Sequence, residues 1–144
     1  MQIALGEAEA AAARGEVPVG ALLVAADGAV IAQDGNRIVE RHDPTAHAEM
    51  LVLRRASETI GNERLLGTVL FVTLEPCAMC AGAISFARVA KLVYAAADPK
   101  GGAIEHGPRF FTQQTCHHRP QVERLGEGAE AARLLTEFFR ARRL

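Results

Sequence analysis

Two short segments of this 144-residue chain carry side chains able to grip a metal ion: His47-Ala48-Glu49 and Pro76-Cys77-Ala78-Met79-Cys80. Cys77 and Cys80 are three residues apart, so on a helix both sulfurs face the same side and can share one ion. In a first helical turn the partial positive charge of the helix also lowers thiol pKa. His47 is the one histidine that can be placed near the start of an element beside them. Three protein ligands leave tetrahedral zinc one position short, which a water fills. Two thiolates and a neutral imidazole cancel the charge of zinc, so that water is less acidified than at an all-histidine site. Such a site benefits from a base. Glu49, two residues past His47, is suited to take the water's proton and hand it on, as a shuttle and not as a ligand.

Each piece has a plainer reading when taken alone. A Cys-x-x-Cys pair arises by chance or serves redox chemistry, a His-x-Glu decorates a surface, and Glu49 simply favours the helix dipole. A closed structural zinc site needs a fourth protein ligand, which Cys116 could supply. Cys116-His117-His118 itself reads as loop packing or substrate contact, because adjacent residues rarely point at one ion. The conjunction carries more weight than its parts. His-x-Glu followed by Pro-Cys-x-x-Cys is the signature of zinc-dependent nucleobase deaminases.

The elements that must position these residues follow from pattern and punctuation. Ile3 to Arg14 is rich in Ala and Glu and stops at Gly15, which predicts a helix. Val17–Ala25 and Ala29–Ala32 are apolar runs around Asp27-Gly28, the mark of an antiparallel hairpin. Gln33–Thr45 is polar and holds Asp34-Gly35 and Asp43-Pro44, hence a loop. A helix should begin within Asp43–Ala46 and run towards Thr59, stopping near Gly61. Thr68–Leu74 predicts a strand, Pro76 to Phe86 a helix opened by proline, and Val89–Ala95 a further strand. Strand, helix, strand makes a right-handed parallel pair. These strands are apolar at nearly every position, which predicts helices on both faces of a mixed sheet. The class is α/β: a three-layer α/β/α sandwich, expected as one domain over residues 1–144. The stretch Asp98–Pro120 reads as a long functional loop. Ala131, Leu134, Leu135, Phe138 and Phe139 recur at helical spacing, with Glu130, Arg133, Glu137 and Arg140 opposite.

Composition narrows the classes. A hydrophobic fraction of 49% with 23% charged residues is that of a folded globular chain, which excludes disorder. No apolar run approaches the roughly 20 residues that cross a bilayer, so no membrane partner is expected. No basic segment followed by an apolar one marks a secretory signal, and 3 Cys in the second half do not suggest a disulfide framework. A cytoplasmic location is the expectation.

The wider sequence resembles the cytidine deaminase superfamily and, within it, the bacterial tRNA-specific adenosine deaminases. The resemblance covers nearly the whole chain. It includes Glu16-Val17-Pro18-Val19-Gly20-Ala21, Asn36-Arg37, His42 through Glu49, Val72 through Cys77, Cys80 through Ile84, Asp98-Pro99-Lys100-Gly101-Gly102 and Phe138-Phe139-Arg140. The zinc motifs are common to the superfamily, and the flanking segments point to the tRNA branch. Histidine before Ala48-Glu49 also separates the chain from the small cytidine deaminases.

The resemblance implies hydrolytic deamination of adenosine to inosine at the wobble position of a tRNA anticodon. It implies one zinc per subunit on His47, Cys77 and Cys80, with Glu49 catalytic, protonating N1 of a flipped-out adenine and then the leaving ammonia. It further implies that Asn36 contacts the nucleoside, that Val19 and Ala48 wall the pocket, and that the backbone around Pro76 holds the leaving group. Asp98 and Lys100 would contact flanking anticodon nucleotides. A homodimer is implied too, with Ile84 to Val89 as a contact surface. The alternatives are a deaminase of a free base, nucleoside or nucleotide (guanine, cytosine or deoxycytidylate) and a zinc-stabilised RNA-binding module without catalysis. Glu49 argues against the last, since a structural site has no need of a carboxylate beside an open metal position.

Net charge is −1, which excludes indiscriminate polyanion binding and leaves room for a local basic patch. Residues 1–80 carry 6 basic and 11 acidic groups, a balance of −5, and residues 81–144 carry 10 and 6, a balance of +4. The basic half includes Lys100, Arg109, Arg119, Arg140, Arg142 and Arg143, in segments that resemble the family's RNA-contacting loop and tail.

Overall fold

A computed structural model describes residues 1–126 and 128–142. Five strands form one sheet in the order β2-β1-β3-β4-β5: β1 (Gly20–Val24), β2 (Val30–Gly35), β3 (Val69–Leu74), β4 (Lys91–Ala96) and β5 (Gln121–Arg124). β1 is antiparallel to both β2 and β3, whereas β3, β4 and β5 run parallel, so the sheet is mixed as expected. Helix α1 (Gln2–Ala13) packs on β1 and β2, and the last helix, α5 (Gly128–Arg142), packs on β4 and against α1. The opposite face takes α3 (Ala48–Ile60) and α4 (Ala78–Phe86), which touch each other. That is a three-layer α/β/α sandwich.

Period-two alternation sorts the core between the two faces. Ala21 pairs with Val72, Leu23 with Leu70, Leu70 with Leu92 and Val72 with Tyr94. All of these side chains point to the α3/α4 face, where they join Val52, Ala56, Ala81 and Ile84 in the main cluster. Ala95 and Ala96 meet Leu5 and Ala131 on the α1/α5 side. α1 buries Ala4, Leu5, Ala8 and Ala11, small side chains at helical spacing that let its backbone lie close to the sheet.

Several elements depart from the pattern reading: β2 runs on through residues 33–35, and three short elements lie where none was expected. The expected loop 33–45 contains a single turn of helix, α2 (Ile38–Arg41), and the stretch after Pro120 forms the edge strand β5. Gln121-Val122-Glu123-Arg124 has all four side chains exposed, so it lacks an inward-facing row that periodicity could detect. Its strand state comes from ladder pairing with β4, from Lys91–Gln121 to Tyr94–Arg124. A short 3-10 turn (Phe110–Thr112) breaks the expected loop 98–120 and sets Phe111 into the core.

On α5 the apolar stripe holds at Ala131 and Phe138 but not at Phe139, which is exposed and meets Phe138 edge-on with ring centroids 5.5 Å apart. Ile84, Ala87 and Val89, expected on a contact surface, are core residues; Phe86 between them is 78% exposed. Among the described residues no helix is long and apolar enough to cross a membrane.

Leu70 is fully buried at the centre of the sheet. Leu70→Ala should lower the unfolding free energy by about 2–5 kcal/mol in a denaturant titration.

Candidate active site

Topology brings four chain segments to one end of the sheet. β3 and β4 end there, and because β1 and β2 are antiparallel to each other, β1 starts and β2 finishes at the same end. Val19 precedes β1, Asn36 follows β2, Glu75 and Cys77 follow β3, and Asp98 follows β4. Ligands in open α/β sheets characteristically bind beyond the carboxyl ends of parallel strands.

Helices α3 and α4 begin at this same point. His47 is the N-cap of α3 and Cys77 the N-cap of α4, both in extended backbone conformation, with Cys80 in the first turn after Cys77. The donor atoms of His47, Cys77 and Cys80 all lie within 4.8 Å of one another. His47 Nδ1 is 3.7 Å from Cys77 Sγ and 3.6 Å from Cys80 Sγ. With zinc–sulfur at about 2.3 Å and zinc–nitrogen at about 2.0–2.1 Å, a tetrahedral S···N edge measures about 3.6 Å. The three residues therefore fit zinc.

The charge balance agrees. A hydrogen bond from Cys80 brings the Cys77 thiol down to about 4, aided by His47, while the same bond and burial push Cys80 upward. The protein by itself thus favours one thiolate, and a dication supplies the charge that lets both sulfurs bind ionised. Cys116 stands apart from the cluster. It packs in the core with its sulfur 3.5 Å from Ser85 Oγ, and His118 Nε2 bonds the Val89 carbonyl at 2.7 Å. Among the described residues no fourth protein ligand joins the three, and Cys116-His117-His118 forms no metal cluster.

Glu49 sits two residues into α3 and is buried. Burial raises its carboxyl above the ordinary glutamate range, which favours the protonated form relative to a solvated glutamate. It lines a cavity of about 290 Å³ together with His47, Cys77, Val19, Asn36 and Asp98. Val17, Ile38 and Leu74 add apolar wall. That volume lies near the lower end for small-ligand sites, and the mix of apolar wall with a few convergent polar groups is typical of them.

The other expected substrate contacts lie off this wall. Ala48 is fully buried, and its N–H donates to Asn36 Oδ1 at 2.8 Å, so it supports Asn36 from behind. Pro76 is buried and its carbonyl accepts the Ala103 N–H at 2.8 Å. Lys100 is exposed on the turn that follows Asp98, whose Oδ1 accepts the N–H groups of Lys100 and Gly101.

Glu75 is the residue that sequence reasoning undervalued. Its carboxylate accepts the N–H of Asp98 at 3.0 Å, of Ile104 at 3.1 Å, of Glu105 at 3.0 Å and of His106 at 3.1 Å, with His106 Nδ1 at 2.8 Å besides. Burial alone would raise this carboxyl, yet these bonds hold it below the usual range. A single buried charge therefore folds the 98–106 loop over the cavity. Gly102 is required there, because a Cβ would come within 2.4 Å of the Glu75 carboxyl carbon. The Glu75-Pro76-Cys77 motif was visible in the sequence, but its first member's partners lie 23 to 31 residues downstream.

The comparisons with known proteins agree with this geometry. A family model of MafB19-like deaminases matches residues 1–143. The chain is 58% identical over its full length to a tRNA-specific adenosine deaminase of Agrobacterium fabrum, covering 94% of that protein. The chain belongs to the tRNA-specific adenosine deaminase family. A solved structure from work on A-to-I editing by tRNA deaminases at the wobble position of transfer RNA superposes with a TM-score of 0.91 at 58% identity, over 94% of this chain and 97% of the other. A guanine deaminase of Bacillus subtilis is more distant, with a TM-score of 0.64 and 39% identity over 67% of this chain and 61% of that one. As an adenosine deaminase family member, the chain keeps the His-x-Glu and Pro-Cys-x-x-Cys motifs on the two helix starts that face each other.

Glu75→Ala would leave four backbone donors and the His106 ring without their acceptor. A loss of at least about 3 kcal/mol is expected, with faster hydrogen exchange at the amides of Ile104, Glu105 and His106 than in the wild type; unchanged exchange there would show that the loop is held by other contacts.

Proposed function

We propose that this chain hydrolyses adenosine to inosine at the wobble position of a tRNA anticodon. The observation that carries the reading is the buried Glu49, which lines one cavity beside the His47–Cys77–Cys80 cluster, in a chain that matches tRNA-specific adenosine deaminases end to end. One zinc per chain is held by His47, Cys77 and Cys80, in a single deaminase domain spanning residues 1–144. When bound, the metal would supply an activated water whose deprotonation is completed by a neighbouring base.

The remaining work falls to the chain's own groups. The reaction replaces the exocyclic amine at C6 with oxygen, consuming water and releasing ammonia. Glu49, with its carboxyl raised by burial, would take one proton from the attacking water and pass it to N1 of the adenine. It would then take the second from the new C6 hydroxyl and pass it to the amine as the C–N bond breaks, so that both hydrogens of the water are used. Val19 and Leu74 bound the base with apolar wall. Asn36 has its Oδ1 committed to the Ala48 N–H, so its Nδ2 is the atom left to donate to the nucleoside. Asp98 and Lys100 lie on the rim turn, where nucleotides flanking the flipped base would pass. A single-stranded anticodon loop suits such a pocket, which reads a base by shape and hydrogen bonds.

The enzyme acts in the cytoplasm, where its tRNA substrate is made and used, and it works as a homodimer. Phe86, 78% exposed beside a concavity lined by Met50, Leu53 and Ala83, supports a self-association surface on the α3/α4 face. The likeness to guanine deaminase supports a second reading, deamination of a free base.

Incubating the zinc-loaded protein with an anticodon stem-loop bearing wobble adenosine, and separately with guanine and cytidine, separates the two. Inosine should form in the stem-loop; conversion of the free bases alone would replace the first reading by the second. Glu49→Ala should keep one zinc per chain yet lose about 10²–10⁴-fold in turnover. Cys77→Ser should lose bound zinc and fall in thermal midpoint together, measured by metal analysis and calorimetry.

A further inference from the structure

Behind Asn36, outside the cavity, lies a cluster of charges that the site as described does not use. Asp34, on β2, is a buried carboxylate with a side chain 2% exposed. Its oxygens meet Arg37 Nε at 2.9 Å, Arg55 Nη2 at 3.0 Å and Arg14 Nη2 at 3.9 Å, and accept the Gly35 N–H at 2.8 Å. The three arginines come from three elements: Arg14 caps the C-terminus of α1, Arg37 precedes α2, and Arg55 lies on α3. Gly35 permits the crossing, since a Cβ there would lie 2.6 Å from the Glu7 carbonyl and 3.1 Å from Arg14 Nη2.

Arg14 does more than neutralise Asp34. Its Nη2 donates to the backbone carbonyl of Asn36 at 3.0 Å. Asn36 is then gripped at three points: its N–H by the Val19 carbonyl at 3.1 Å, its carbonyl by Arg14, and its Oδ1 by the Ala48 N–H at 2.8 Å. The first and third of these lead into the cavity wall and into the residue between His47 and Glu49. The middle one leads to the charge cluster. Arg14 Nε is buried and without a hydrogen-bond partner among the described residues, so its guanidinium acts through Nη2. Arg37 and Arg55 already satisfy Asp34 at shorter distances.

We propose that Arg14, anchored by Asp34, is a positioning residue for substrate binding: it fixes the backbone of Asn36 so that the carboxamide presents Nδ2 to the nucleoside. This rests on the reading that Asn36 meets a nucleoside in the cavity. Arg14 touches neither substrate nor metal ligands, so its removal acts on affinity and leaves the metal and the proton shuttle in place.

The test is Arg14→Met in the zinc-loaded full-length protein, assayed on the wobble-adenosine stem-loop. KM should rise about tenfold, equal to about 1.4 kcal/mol, with kcat within about twofold of wild type and one zinc per chain retained. Hydrogen exchange at the Ala48 amide, which reports the grip on Asn36 without any substrate, should accelerate while that of Leu70 stays unchanged. Arg14→Lys, which keeps a donor, should recover most of the KM. Asp34→Asn, nearly isosteric and uncharged, should move KM in the same direction and serves if Arg14→Met fails to fold. A fall in thermal midpoint with KM unchanged, or a loss confined to kcat, overturns the proposal. Should the wild type leave the stem-loop untouched, the adenosine reading falls, and the Ala48 exchange still decides whether Arg14 holds Asn36: wild-type exchange in Arg14→Met overturns the proposal there too.

Discussion

The convergence of two helix starts on one point is the constraint on which the rest of the molecule depends. His47 and Cys77 occupy equivalent N-cap positions on α3 and α4, and the helices touch each other on the same face of the sheet. Two positive helix ends aimed at one spot favour ionised sulfur there and tolerate a carboxylate beside it. A 3.6–3.7 Å spacing between imidazole and thiols demands that both helices be docked to within a few tenths of an ångström. That docking comes from the apolar cluster beneath, where Val52 and Ala56 of α3 and Ala81 and Ile84 of α4 meet Leu70, Val72 and Tyr94 of the sheet.

Four buried carboxylates then divide the labour. Glu16 accepts the N–H groups of Val39 and Glu40 and so caps the one-turn helix α2, whose Ile38 lines the cavity. Asp34 gathers arginines from three elements, and Glu75 folds the 98–106 loop. Glu49 faces the cavity instead. Glu75 and Glu49 show how environment sets role: both are desolvated, but the first is surrounded by N–H donors that keep it ionised, and the second is pushed towards the protonated form. The same chemical group is a fixed anchor in one place and, in the function proposed above, a proton carrier in the other.

These placements change the meaning of the charge asymmetry along the chain. All four buried acids lie in the half with a balance of −5, so part of that half's acidic count is internal. In the basic half, Arg119 is occupied with the carbonyls of Phe111 and Gln113, Arg109 with that of Glu105, and Arg142 lies over the Phe138 ring at 3.6 Å. Arg143 lies outside the described residues. Several residues that looked like a nucleic-acid patch are thus staples of loops and of α5, and Lys100 remains at the rim of the cavity, beside Asp98.

What the sequence determined by itself was the chemistry and the layering. Metal-ligand spacing is local: two cysteines three apart on a helix share a face whatever the rest of the fold does. Apolar strands alternating with helices specify two covered faces of a sheet. What only the tertiary structure decided was everything that depends on partners distant in the chain. β5 has no apolar face and exists because β4 offers it a ladder, and α2 exists because Glu16, more than twenty residues earlier, satisfies its first N–H groups. The grip of Glu75 on residues 98–106, the separation of Cys116 from the metal cluster and the reach of Arg14 to Asn36 all join residues more than twenty positions apart. Hydrogen bonds to a buried charge leave no periodic trace, since any donor brought within about 3 Å serves and sequence spacing does not constrain which one it is.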